Sequence, residues 1–132
     1  MFALLFDRQR RILLARVSGT FSTRTLRELD AAGASFVARE GVVETVIDFS
    51  DVEEVLVPTA SMVARGMRPP VMADKERIYV MPRDDLYGLG RMLASYQRLG
   101  GNRAPLIVRT MDDAYARLGP IGPGFEVIRV AS

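Results

Sequence analysis

The sequence predicts a single α/β domain: a mixed, mostly parallel sheet that starts with an antiparallel hairpin and carries about four helices. Three observations predict it. Two apolar runs, Phe2–Phe6 and Arg11–Ser18, are joined only by Asp7-Arg8-Gln9-Arg10, the spacing of a hairpin. From Ser22 onward, stretches with helical spacing alternate with short β-rich runs, and strands separated by helices become parallel neighbours through right-handed crossovers. The centre of the run Val43–Phe49, Val46-Ile47, has no polar face, as in a strand covered on both sides.

Each element has its own signals. Gly19 is expected to end the second strand, and Ser22 to cap a helix that runs to about Glu40. Leu26, Leu29, Gly33, Phe36 and Val37 fall near one side of that helix, and Gly33 is small enough to let it lie close to a sheet. Gly41 supplies the stop. After the third strand a loop around residues 53–57 leads to Pro58-Thr59, where proline suits a first turn or the position just before it and Thr59 can cap. This short helix must end by about Met67, because Pro69-Pro70 forbids its continuation.

Arg77–Met81 is the fourth strand, and Pro82-Arg83-Asp84-Asp85 is expected to supply an acidic N-cap for a long helix to about Leu99 with the stripe Leu86, Leu89, Leu93 and Tyr96. Leu106–Val108 is a short fifth strand. Thr110-Met111-Asp112-Asp113 resembles a capping box for a last helix that Gly119-Pro120 terminates. Residues 1–119 therefore read as the domain, and 120–132 as a Gly/Pro loop with a strand-like tail, Phe125–Val130. The tail suits an added edge strand, an arm to a partner or a loose end. A homodimer is expected if it adds to a neighbouring sheet edge.

Composition narrows the chemistry. A chain of 132 residues can bury roughly two-thirds of its unfolded surface and so hold its own core. No apolar run approaches the ~20 residues of a membrane helix, and the start lacks the basic region of a signal peptide, which points to the cytoplasm and to no integral membrane association. Cysteine and histidine are both absent, which removes thiolate nucleophiles, zinc-thiolate sites and the commonest general base. Of 18 cationic residues only Lys75 is lysine, the bias of a GC-rich coding sequence. With a net charge of +2 and the arginines scattered rather than set on one face, nucleic acid is not expected as a partner.

The order and spacing of these elements resemble the STAS-like fold of anti-sigma-factor antagonists, and most closely its bacterial STAS/SEC14-like branch. The resemblance covers roughly residues 3–119 and rests on five stretches. These are Val17-Ser18-Gly19 before a helix, the run Val46-Ile47-Asp48-Phe49-Ser50-Asp51-Val52, and Pro58 opening a short helix. Arg77-Ile78-Tyr79-Val80 and Thr110-Met111-Asp112-Asp113-Ala114-Tyr115 complete it. In that family the helix after the central strand opens with an Asp-Ser pair, and phosphorylation of the serine switches partner choice. Here the matching stretch reads Val57-Pro58-Thr59-Ala60-Ser61, without the Asp-Ser pair. The resemblance makes Thr59 the nearest phosphoacceptor and Ser61 the second, with a plain helix cap as the other reading of Thr59.

Other candidate chemistry is set against a bland alternative. Asp48, Asp51, Glu53 and Glu54 suit magnesium if they converge, and otherwise are a strand-end cap and solvated charges. Gly88-Leu89-Gly90-Arg91 suits a phosphate at a helix start, with Arg83 beside it, and otherwise allows close packing. Met62, Met67 and Met72 beside Pro69-Pro70 suit an adaptable apolar groove or ordinary core.

The leading expectation is a non-enzymatic regulatory module, without cofactor or metal, that binds a protein partner. Its surface is placed on the loop and helix start of residues 53–61, the segment Arg65–Val71 and the loop Pro82–Gly88, at the carboxyl ends of the strands. Val55, Leu56, Val57 and Pro58 supply its apolar area. The alternative is a carrier of a small acyl or lipid-like ligand held between the second and third helices, against Met62, Met67 and Leu89.

Overall fold

The chain first reverses at Asp7. In the computed structural model, which describes residues 1–120 and 122–131, Asp7 Oδ1 accepts from the Gln9 and Arg10 backbone N–H groups, each at 3.0 Å, and Oδ2 accepts from Arg10 Nε at 2.8 Å. The carboxylate thus closes the hairpin between β1 (Phe2–Asp7) and β2 (Ile12–Phe21), which pair antiparallel. The arginines of this tip are engaged within the chain: Arg8 pairs with Glu40 at 2.8 Å and Arg11 donates to the Glu40 carbonyl.

β2 does not end at Gly19. Gly19 takes φ +74° between two register shifts, at Arg16/Ser18 and Gly19/Thr20, and the strand resumes to Phe21. The glycine bends a strand that the sequence reading stopped, because a positive φ is as available within a bulge as at a terminus. Its neighbour β3 (Glu44–Val55) extends equally far, with Glu54 opposite Thr20 and Val55 opposite Phe21. The expected loop at residues 53–57 therefore begins only after Val55, and Asp48 lies within the strand rather than at its end.

The remaining elements are α1 (Thr23–Glu40), α2 (Thr59–Gly66), β4 (Arg77–Val80), α3 (Asp84–Leu99), β5 (Leu106–Val108), α4 (Met111–Leu118) and β6 (Phe125–Ala131). The sheet order is β5-β4-β3-β2-β1-β6, parallel from β2 through β5 and antiparallel across β1 and its two neighbours. The tail is thus an edge strand on its own sheet, with Glu126 opposite Phe6 and Ala131 opposite Phe2.

Alternation along the strands divides the core into two layers. Leu13, Ala15, Phe49 and Met81 face α1, α2 and α3, where Phe36, Met62, Leu86 and Leu93 meet them. Leu14, Val46, Ile78 and Val80 face the other way, onto Ala114 of α4. Gly33 does not approach the sheet; a Cβ there would stand 3.3 Å from Val71, in the segment after α2. The close helix contact is at Gly66, where a Cβ would come within 2.8 Å of Tyr96 Cβ on α3.

Candidate functional site

The extended ends of β2 and β3 build one surface. The Phe21 carbonyl accepts from the backbone N–H groups of Leu56 and Val57, at 2.8 and 3.1 Å, so the chain leaving β3 is anchored to the end of β2. This turns Val57 inward, 6% exposed, and leaves Leu56 outward at 59%. Val55 is half-buried, while Pro58 and Thr59 are exposed. Of the apolar residues expected on this surface, Leu56 contributes most of the area and Val57 belongs to the core.

Pro58, not Thr59, occupies the N-cap position of α2, and it gives no side-chain hydrogen bond. Thr59 is the first helical residue. Its hydroxyl stands at a helix start where backbone N–H groups lack intrahelical acceptors, and nearby negative charge is favoured there. Ser61 is half-buried, and its hydroxyl lies 3.2 Å from that of Thr23 at the start of α1. Ser61 therefore sits at the junction of α1 and α2, while Thr59 is exposed.

The loop before α3 joins the same surface. Arg83 Nη1 donates to the Glu53 carbonyl at 2.6 Å, while Nε and Nη2 donate to the Asp85 carboxylate at 3.1 and 3.0 Å. The hydrogen bonds from Arg83 hold the Asp85 carboxyl below its ordinary range, aided by the Leu86 backbone N–H, and Asp85 in turn raises Arg83. Beyond β5, Arg109 donates to the Pro82 carbonyl and the Asp84 carboxylate, at 3.1 and 2.6 Å, and its guanidinium stands 3.9 Å from the Tyr87 ring centre. The sequence reading makes Tyr87 an amphipathic core residue, and it does pack half-buried against the core; Arg109 was not singled out, although the position just beyond β5 is where a parallel sheet gathers such groups.

The segment Arg65–Val71 does not belong to this surface. A crossover helix runs back along the sheet, so its end returns to the amino ends of the strands. Val43, just before β3, donates to Met72 Sδ at 3.5 Å there. Met67, 68% exposed, is thus about 12 Å along α2 from Thr59. Gly88 is exposed with open space around its Cα, while Gly90 is packed against Met81.

Among the described residues no three carboxylates converge in a way that would hold a metal. Asp48 Oδ1 instead accepts from the backbone and hydroxyl of Ser50, at 2.9 and 2.5 Å. A cavity of about 100 Å³ lies between the sheet and α1, α2 and α3. Met62 of α2 and Leu93 of α3 line it, but Met67 and Leu89 do not, so only part of the lining expected for a ligand between α2 and α3 is present.

No family model matches the sequence, and no curated protein matches it. Among solved structures the chain is similar to the anti-sigma factor antagonist SpoIIAA in its unphosphorylated form, with a TM-score of 0.54. The match covers 92% of this chain and 100% of that one at 13% identity. This chain has a STAS-like fold. Within that STAS-like fold, the surface around Leu56 and Thr59 lies where β3 hands over to α2, and no helix among the described residues is long and apolar enough to cross a membrane.

Proposed function

We propose that this protein is a non-enzymatic regulatory module of the cytoplasm that binds a protein partner through the surface around Leu56, Thr59, Arg83 and Arg109. One observation carries the reading. Leu56 is an exposed leucine whose backbone N–H is held by the Phe21 carbonyl of β2, and Arg83 is fixed to the Glu53 carbonyl three residues before it, so apolar area is presented on a rigid frame at little entropic cost. The STAS-like fold shared with an anti-sigma factor antagonist supports a regulatory, protein-binding role. Thr59 is the proposed phosphoacceptor, ahead of Ser61, because it is exposed at the start of α2 and needs no contact broken to be modified.

Site-specific photo-crosslinking tests this. Crosslinkers at Leu56 and Arg109 are expected to capture the same partner, while one at Val42, exposed at the opposite end of β3, captures nothing. Leu56→Asp is expected to abolish capture without loss of fold, and Thr59→Glu to change it while Thr59→Val does not. Equal capture from Val42, or capture that survives Leu56→Asp, sinks the assignment of this surface.

A further inference from the structure

Two neighbouring helix ends each pair an exposed aliphatic side chain with a cation. Met67-Arg68 follows α2, and Arg98-Leu99 closes α3. Met67 is 68% exposed and Leu99 82%, the most open large apolar side chain among the described residues. The two ends are adjacent. α2 and α3 both run back along the parallel sheet, and a Cβ at Gly66 would stand 2.8 Å from Tyr96 Cβ. Met67 comes directly after Gly66 and Leu99 three residues after Tyr96, so the two side chains stand within about one helical turn of the same level.

The charge on these two helices has one sign. No carboxylate occurs between Glu54 and Asp74 or between Asp85 and Asp112, so α2, and α3 beyond its first turn, carry cations only. Arg68 and Arg98 are exposed and, among the described residues, take part in none of the ion pairs. The same is true of Arg39, in the last turn of α1, and of Lys75, before β4, which share the amino end of the sheet. The carboxylates of that end are partly spent: Glu40 pairs with Arg8 and Glu76 with Arg103 and Arg117, which leaves Glu44 and Asp74. An arginine in a last turn complements the helix dipole, but the dipole requires neither the missing carboxylates nor the aliphatic neighbours.

We propose that the amino end of the sheet docks peripherally on an anionic lipid surface, with Met67 and Leu99 entering the boundary between headgroups and acyl chains and Arg68 and Arg98 on the lipid phosphates. Interfacial binding draws on these two quantities together, apolar area buried at the boundary and attraction to anionic headgroups. An arginine beside each aliphatic tip lays its methylene stem along the apolar layer and keeps its guanidinium among the phosphates. Arg39 and Lys75 add long-range attraction from the same side. A nucleic-acid backbone would satisfy the cations and leave two aliphatic side chains in water. The surface around Leu56 lies at the opposite ends of the strands, so it faces away from the bilayer, and the two readings stand apart.

Sedimentation of the whole protein with vesicles tests it, using phosphatidylcholine alone or mixed with phosphatidylglycerol. The protein is expected to sediment with the mixed vesicles, less so as salt is raised, and not with the neutral ones. Arg68→Gln and Arg98→Gln are each expected to weaken partitioning about five-fold, and Met67→Ser combined with Leu99→Ser by at least about ten-fold. All four positions are exposed, so these variants keep the fold, and Arg16→Gln, exposed on β2, is expected to leave partitioning unchanged. The chain has no tryptophan, so Leu99→Trp carries a single reporter whose emission should move to the blue with the mixed vesicles, while that of Leu56→Trp stays in place. Absence of binding to the mixed vesicles, equal binding to neutral ones, partitioning that ignores the Met67→Ser, Leu99→Ser change, or equal blue shifts at positions 99 and 56 would each overturn the proposal. So would tighter binding to duplex DNA or polyglutamate that is indifferent to the two serines.

Discussion

Arg83 and Glu53 are joined across one crossover, β3–α2–β4: the guanidinium at the start of α3 donates to the backbone carbonyl near the end of β3 at 2.6 Å. The contact explains how a strand as long as β3 stays ordered to its last residues, where β4 no longer runs beside it. Arg83→Ala is expected to raise amide hydrogen exchange over residues 53–57 while the amides of Val46 and Ile47 stay protected. Unchanged exchange at 53–57 would show that the β2 contacts alone hold this end.

The two glycines of Gly88-Leu89-Gly90 are expected to part company. Nothing lies within 4 Å of a Cβ at Gly88, so Gly88→Ala should stabilise α3 by about 0.5–1 kcal/mol through reduced backbone entropy. A Cβ at Gly90 would collide with the Met81 thioether and stand 3.4 Å from Ile107 Cδ1. Met81 is 1% exposed, and its thioether end must swing toward the cavity it lines, so Gly90→Ala should destabilise by about 1 kcal/mol, the low end of the cost of overpacking. Urea unfolding of the two variants reads both signs.

Acid should loosen the N-terminal hairpin. The Arg10 backbone N–H, then the Arg10 guanidinium, hold the Asp7 carboxyl below its ordinary value of 3.8. A lowered folded-state pKa gives stability that is present in full above the ordinary carboxylate range and lost as pH falls through the folded value. Asp7→Asn is therefore expected to be less stable than the wild type at neutral pH, with the difference shrinking below about pH 4. Melting temperatures across that range measure the convergence, and a gap that holds constant with pH would remove Asp7 from the account.

A negative charge should be tolerated at Thr59 and resisted at Ser61. Thr59→Asp places charge at the start of α2, expected to be neutral or stabilising by a few tenths of a kcal/mol. Ser61→Asp puts a larger, charged group against Thr23 at 3.2 Å from the present hydroxyl, and is expected to lower stability and weaken the α1–α2 contact. Thermal unfolding of the pair decides which hydroxyl can be modified without local rearrangement.

Much of the architecture was legible because local signals and tertiary needs agree. The Ser22 cap, the stop at Gly41, the break after α2 before Pro69-Pro70 and the unbroken apolar centre of β3 all took their expected places. The readings that changed are those where one residue type serves two geometries. Gly19 fits a strand end or a bulge, and only the parallel partner β3 makes the bulge the answer. Thr59 fits a cap or a first helical residue, and the proline before it takes the cap position.

The class of fold, the order of its elements and the absence of thiol and imidazole chemistry follow from the residues alone, because periodicity, capping and composition act over a few residues at a time. Tertiary structure alone decided which of those elements meet. It set Leu56 outward and Val57 inward through one carbonyl of β2, tied Arg83 to the Glu53 carbonyl and Arg109 to Pro82 and Asp84, and sent Met67 to the other end of the sheet. It also buried Arg77, whose Nε finds no hydrogen-bond partner among the described residues. Such long-range neighbours follow from crossover direction and strand register, which one local stretch of sequence does not fix.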